Sequence, residues 1–218
     1  YMIYMQSPEV MLIASSPEIL CRVRRGEVVN RPLAGTRRRG ADAAEDAALE
    51  ADLLSDDKER AEHSMLVDLA RNDLGTVCEP GTVTVDRLME IERYSHVMHI
   101  VSGVHGEVLA DKDAPDLFTA TFPAGTLVGA PKVRAMELIA GREPVGRGLY
   151  GGTVGYFAKS GNMDQAITIR TMVFHGREYS FQAGAGIVAD SDPEREYEEV
   201  LAKSAILRRA LEIAEEGL

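Results

Sequence analysis

The sequence predicts an α+β fold with mostly antiparallel sheet. Three observations carry this: strand-type and helix-type runs are segregated along the chain, short glycine turns join successive strand runs, and the helical runs open on capping residues. The chain starts on YMIYMQSPEV, strand-like in character. ILCRVRRGEVVNRPL has two β-rich arms about Arg25-Gly26, a hairpin signal. AAEDAALEADLLSDDKERAEHSMLVDLARNDL then has helical periodicity, and its second half starts at Ser55, Asp56 or Asp57, all good N-caps. Glu62, Met65, Leu66 and Leu69 share one stripe of that helix, so Glu62 points where apolar side chains point. VMHIVSGVHGEVL reads as a strand bent at Gly103. FPAGTLVGAPKVRAMELIA is a glycine-rich turn running into a helix, with Pro131 suited to the first helical position. TVGYFA, QAITIRTMVF and REYSFQAGAGIVA read as three strands of an antiparallel meander, joined by the turns KSGN and HGRE. Pro193 opens a terminal helix that runs to about Glu216. The weakest break is ADKDAPD, and strands on both sides of it favour one domain over residues 1–218.

Composition narrows the function. An apolar share of 45% supports a sizeable core. The 24 Lys and Arg against 35 Asp and Glu leave a net charge of −11, which argues against a nucleic-acid or membrane-surface binder. An anionic substrate must then be met by local Arg, Lys, backbone N–H groups or metal. Cys21 and Cys78 have no CxxC spacing and no zinc-finger register, so a reduced, cytoplasmic protein is expected. No apolar run approaches membrane-spanning length and no signal peptide opens the chain. With no initiator Met and a strand-like start, the chain is expected to be a fragment.

Glu59 and Glu62 on one helix, and Glu196 and Glu199 on another, are pairs at i,i+3, so each projects as a unit. Four such carboxylates meeting in one cleft suit a hard dication such as Mg²⁺, which commonly takes one or two carboxylates and shares an oxyanion of the substrate. Taken singly, Glu62 reads better as a stripe-edge carboxylate that reaches solvent, and Glu199 with Lys203 as a plain i,i+4 ion pair; the case for metal rests on two such pairs in one chain. Gly146–Gly151 matches GxGxxG but follows a helix and precedes a strand, the reverse of a dinucleotide fingerprint. GTLVGAPK lacks the GK[ST] end of a P-loop. The N–H groups opening the Val133 helix, with the Thr126 hydroxyl, form either a weak anion site or an ordinary turn. His96 and His99 have opposite parity on a strand, so one faces a core or cleft. Arg170 lies inside an apolar strand, which implies a carboxylate ligand or an internal partner such as Asp164 or a nearby Glu.

RPLAGTRRRG, ERAEHSMLVDLARNDLG, ERYSHVMHIVS, FPAGTLVGAPKVRAMELI, RGLYGGTVGYF, GNMDQAITIRTM, QAGAGIVADSDPEREYEE and the Lys203 turn occur in this order. From about Ser15 to Lys203 the chain thereby resembles the chorismate-utilising enzymes, and among them most closely the large subunits of anthranilate synthase. The resemblance implies two large, mostly antiparallel sheets packed face to face with helices outside. It implies that Glu62 and Glu199 ligate Mg²⁺, with Glu59 and Glu196 close by. Gly35, Thr36 and Thr126 line the same end of the pocket, Thr126 among the catalytic residues. Arg170 and Tyr150 hold the enolpyruvyl carboxylate with backbone N–H groups at Gly184 and Gly186, and Lys203 adds positive charge. His99, rather than His96, matches the family's active-site histidine. The implied reaction is addition of ammonia to chorismate, loss of the ring hydroxyl and elimination of pyruvate to give anthranilate for tryptophan biosynthesis. A glutamine amidotransferase subunit would supply the ammonia.

Ala34 stands where aminodeoxychorismate synthases of this resemblance carry a nucleophilic lysine, and Met98 where isochorismate and salicylate synthases show glutamine. Both favour anthranilate synthase over those alternatives, and over a non-catalytic chorismate-binding or partner-docking fragment. The chain departs from the family pattern at Val128, usually Ser or Thr, and at Arg38, a common Pro. It also lacks the family's N-terminal half, with its early strands and tryptophan feedback site. Exposed sheet edges, self-association and weak activity of the isolated chain are therefore expected.

Overall fold

The structure is a computed structural model that describes residues 1–94, 97–189 and 191–217. Its elements in order are β1 (Met2–Gln6), β2 (Met11–Ser15), β3 (Ile19–Arg24), β4 (Glu27–Asn30), β5 (Leu33–Arg38), α1 (Ala43–Ser55) and α2 (Asp57–Gly75). There follow β6 (Thr84–Arg93), β7 (Val97–Glu107), α3 (Ala114–Thr121), the single turn α4 (Gly125–Val128) and α5 (Lys132–Arg142). The chain closes with β8 (Thr153–Phe157), β9 (Met163–Ile167), β10 (Thr171–His175), β11 (Glu178–Ser180) and α6 (Pro193–Glu216). Two antiparallel sheets result, as the α+β reading expects. One has four strands in the order β1-β2-β10-β11. The other has seven, in the order β5-β7-β4-β3-β9-β8, with β6 on the far side of β7.

Local chemistry explains the elements that frame the site. Arg25 and Gly26 both take positive φ, 54° and 83°, the two-residue geometry that matches strand twist, and so β3 and β4 form the expected hairpin. Asp56 ends α1 and caps α2, accepting from the Lys58 and Glu59 amides. Arg37 of β5 grips the same junction, with Nε 2.7 Å from Asp52 and Nη2 2.8 Å from Asp56. The start of α2 is thereby tied to β5. From there α2 buries His63, Leu66, Val67, Ala70, Asp73 and Leu74, a stripe at helical spacing. Val67, Ala70 and Leu74 join Leu20, Val28, Val104, Leu117 and Met163 in the main core, between the large sheet and helices α2 and α3. Glu59 and Glu62 lie on the flank of that stripe.

The sequence reading missed β6 and α3. The α3 signal is present: Asp113 and Asp116 form a capping box, with a proline in the first turn. Two expected strands are also corrected. QAITIRTMVF is not one strand, because β9 ends in the large sheet and β10 begins in the small one. Thr168–Arg170 make the crossing, and Arg170 takes a left-handed φ of 48°, unusual for a residue with a Cβ. Of REYSFQAGAGIVA only Glu178–Ser180 is strand, and residues 181–189 run as loop. That run of Gly and Ala has little side chain to pack on a ladder neighbour.

A second crossing lies beside the first. Between β2 and β3 the chain passes from the small sheet to the large through Ser16, Pro17 and Glu18. The Ser15 amide donates to the Arg170 carbonyl and the Ile167 amide to the Glu18 carbonyl, each at 3.1 Å. The Ser16 hydroxyl donates to the Ile167 carbonyl at 2.7 Å. The side chains leaving this seam open into the candidate site.

Candidate active site

A cavity of about 540 Å³ opens at the seam, a volume that holds a small organic molecule. Its walls come from the Glu18 crossing, β5, the first turns of α2, β7, α4, the turn before β8, the Arg170 crossing, the loop after β11, and α6. Every predicted site residue lines it except Glu196. His96, the alternative to His99, lies outside the described residues.

At one end the cavity is basic. Arg170 is half-buried, and among the described residues no carboxylate lies within ion-pairing distance of its guanidinium. Burial pulls its pKa below the usual arginine range. The internal partner suggested for it, Asp164, is taken by Arg22 at 2.8 Å. Tyr150 is beside it, and burial pushes the Tyr150 phenol up. The loop approaches here because Gly184 carries no side chain: a Cβ on it would sit 2.9 Å from the Tyr150 hydroxyl. Lys203 reaches across, its Nζ 3.2 Å from the Gly184 carbonyl and 2.5 Å from Glu199 Oε1. The plain i,i+4 pair is therefore present, and it lies within the cavity wall.

At the other end the cavity is acidic. Burial and the charge of Glu62 raise the Glu59 carboxyl. Burial raises Glu62 too, with Glu199 adding to the rise and Lys203 opposing it. A Cβ on Gly186 would meet Glu62 Oε1 at 2.9 Å. Gly35, at φ 78°, sits at an irregularity of β5, where a Cβ would lie 3.1 Å from Ile100 and 3.3 Å from Glu59 Oε2. Glu196 is buried beneath this end. Lys58 holds it at 2.8 Å and keeps its carboxyl below the usual range, while its Oε2 has no hydrogen-bond partner among the described residues. The donor set suits a hard dication: like-charged carboxylates crowd each other, and one buried oxygen is orphaned. The four glutamates are nonetheless not drawn into a coordination sphere here, since among the described residues no group of three acidic, His or Cys side chains is placed to hold a metal.

His99 lines the cavity between the two ends, buried on β7. Its Nδ1 is 3.1 Å from the Gly35 carbonyl and 2.9 Å from Thr36 Oγ1. A carbonyl only accepts, so this contact assigns the proton to Nδ1 and leaves Nε2 as the lone-pair nitrogen. Burial, with the positive Arg170 and Lys203, lowers the His99 pKa. Thr126 lines the cavity from α4, and the first residues of α5 are not part of that lining. Lys132 instead binds Asp73 at 2.8 Å and the Thr121 carbonyl at 2.9 Å.

The sequence reading missed Glu18. It is buried, lines the cavity, and burial pushes its carboxyl up to about 8 against the Thr126 hydroxyl and the positive Arg170 and Lys203. A glutamate before the apolar run ILCRV was the available signal, of the same kind as Arg170 in TIRTM. Ala34 lines the cavity, whereas Met98 is wholly buried with Leu53 and Ile100 and Val128 lies outside the lining. Arg38 is turned outward onto Glu45.

Fold and site define an α+β small-molecule domain whose cavity is basic at one end and acidic at the other. The chain belongs to the chorismate binding enzymes, a family that matches residues 1–209. It is 58% identical to anthranilate synthase component 1 of Aquifex aeolicus over all of this chain and 44% of that protein, and 56% identical to that of Acetivibrio thermocellus over 99% and 44%. It thus spans less than half the length of these relatives. Among solved structures, anthranilate synthase component I from Streptococcus pneumoniae superposes with a TM-score of 0.86 at 45% identity, covering 93% of this chain and 45% of the other. A putative 2,3-dihydroxybenzoate-specific isochorismate synthase from Bacillus anthracis gives 0.85 at 30% identity, covering 96% and 56%.

Proposed function

We propose that this chain is the chorismate-binding catalytic part, residues 1–218, of an anthranilate synthase component I. The observation that carries the reading is the half-buried Arg170 guanidinium, unpaired among the described residues and facing a cavity whose far end is lined by glutamates. Chorismate carries two carboxylates. Its enolpyruvyl carboxylate goes to Arg170, whose fork suits bidentate binding, with Tyr150 and the backbone at Gly184, while Gly186, expected there too, lies against Glu62 at the other end. Its ring carboxylate goes toward Glu59, Glu62, Glu199 and Glu196, the residues that would hold Mg²⁺. When bound, Mg²⁺ supplies positive charge that orients the ring carboxylate and eases departure of the hydroxyl.

The chain's own groups then divide the proton traffic. Ammonia bonds to the ring, and the ring hydroxyl leaves as water on taking a proton from Glu18, which is protonated below about pH 8. The attached nitrogen returns its extra proton to the Glu18 carboxylate; His99, neutral and fixed through Nδ1 by Gly35, then accepts the ring proton at Nε2 as the bond to the enolpyruvyl oxygen breaks, and passes it to the methylene carbon of the leaving enolpyruvate. Chorismate and ammonia thus give anthranilate, pyruvate and water. Thr126 faces the same cavity as Glu18 and its hydroxyl opposes the rise of the Glu18 carboxyl, and Lys203 adds positive charge beside the dianion. Ala34 offers no amine for attack on the ring, which speaks against aminodeoxychorismate synthesis. The likeness to an isochorismate synthase, at 30% identity, keeps water addition as the second reading.

Ammonia comes from a glutamine amidotransferase partner: both cysteines are buried, and burial pushes Cys21 up to about 12 and Cys78 up to about 11, far from a ready nucleophile. Val133, Tyr197 and Ile206 on α5 and α6, and Met2 on β1, are exposed apolar side chains that favour self-association. Among the described residues no helix is long and apolar enough to cross a membrane, and we place the protein in the cytoplasm. The test is product analysis from chorismate, Mg²⁺ and ammonium salt. Anthranilate with equimolar pyruvate supports the reading; isochorismate or salicylate supports the second; no turnover and no chorismate binding overturns both.

A further inference from the structure

Arg147 lines the cavity without offering a free charge. Glu143, four residues earlier and just past the end of α5, accepts from its Nε at 2.9 Å and its Nη2 at 2.6 Å. Its Nη1 donates to the Leu127 carbonyl at 2.7 Å, next to Thr126. Its guanidinium carbon stands 5.6 Å from the centroid of the Tyr150 ring. One side chain thus touches the end of α5, the α4 turn and the tyrosine wall. A guanidinium already matched by a two-pronged carboxylate is a poor second anchor for a ligand anion, whereas its planar fork and its face suit bridging. We infer that Arg147 is a positioning residue that holds Tyr150 and the Thr126-bearing turn together as one wall of the binding site. The inference rests on the reading above that this wall meets chorismate. Lysine keeps the charge for Glu143 but cannot bond Glu143 twice, reach the Leu127 carbonyl and face the ring together.

The test has two arms, on Arg147→Ala, Arg147→Lys, Tyr150→Phe and the Arg147→Ala/Tyr150→Phe double variant. In the first arm the protein carries ¹³C at the tyrosine ring carbon bearing the hydroxyl, and the Tyr150 signal is identified by its loss in Tyr150→Phe. Without ligand, Arg147→Ala should move the Tyr150 titration to higher pH, since a nearby cation that favours phenolate is gone, while Arg147→Lys retains much of the wild-type titration. In the second arm chorismate binding is measured calorimetrically. Either Arg147 variant should weaken it roughly tenfold, and Arg147→Ala should cost less than about twofold once Tyr150 is Phe. An unmoved Tyr150 titration in Arg147→Ala, additive losses in the cycle, or wild-type affinity in Arg147→Lys overturns the positioning role. Failure of the wild-type protein to bind chorismate overturns the functional reading instead, and the titration arm still decides Arg147.

Discussion

The Glu18 carbonyl accepts the Ile167 amide while the Arg170 carbonyl accepts the Ser15 amide, so a buried acid and a guanidinium unpaired among the described residues enter one cavity from two neighbouring chain crossings. Neither crossing can shift alone without breaking these bonds, which gives the cavity a fixed edge built from both sheets. Buried polar groups held by backbone pairing are preorganised for charge that appears during a reaction.

Glu18 carries a pH prediction. Its folded pKa of about 8 exceeds the ordinary carboxyl value of 4.5, so the folded state holds a proton that the unfolded state releases between these values. The Glu18 contribution to stability is full below about pH 4.5 and is lost as pH rises through about 8. Thermal melts should show wild type losing stability relative to Glu18→Gln over that window. Turnover should also fall above about pH 8, where the proton donor is ionised, and Glu18→Gln should be slow at every pH. A wild-type alkaline limb that persists unchanged in Glu18→Gln would assign it to another group.

Metal dependence follows from the acidic end. Glu62→Gln and Glu199→Gln should each abolish turnover and the rise in melting temperature produced by Mg²⁺, with the fold retained by circular dichroism. A variant that keeps near-normal rate and Mg²⁺ response is not a ligand variant.

His99→Met should slow pyruvate release more than amination, so that an aminated, non-aromatic intermediate accumulates and is visible by mass. Activity of the wild-type protein should fall as pH drops through the lowered His99 pKa, where Nε2 becomes protonated. Blocked turnover in His96→Met with a normal rate in His99→Met would reverse the assignment.

Much of this site was legible because its residues break local patterns. In the sequence Glu62 shares a helical stripe with apolar residues and Arg170 sits in an apolar run, and a charge in such a run demands a partner or a ligand; in the structure Glu62 lies on the flank of the buried stripe and Arg170 in the crossing between two strands. Glu59 and Glu196 were legible only as second members of helical pairs. The crossings were not legible, since QAITIRTMVF has strand propensity throughout and nothing local records that its ladder neighbours belong to different sheets. Glu18 had a local signal, a carboxylate before the apolar run ILCRV, but its burial is created by the neighbouring crossing, which that signal does not record. The expected Arg170–Asp164 pair failed through a longer-range choice: Arg22 on β3 lies opposite Asp164 on β9 and takes it. The QAGAG loop looked like strand because its alternation of small residues mimics a half-buried face.

The measurement closest to the central claim is calorimetric titration of chorismate, with Mg²⁺ present, into wild type, Arg170→Lys and Arg22→Lys. One ammonium cannot reproduce a two-pronged guanidinium contact. Arg170→Lys should therefore lose roughly 1.5–3 kcal/mol, about ten- to a hundredfold in affinity. Arg22→Lys changes an arginine paired with Asp164 outside the cavity, and should bind chorismate as wild type does. Equal affinity in wild type and Arg170→Lys would contradict the account and leave Arg170 a structural residue.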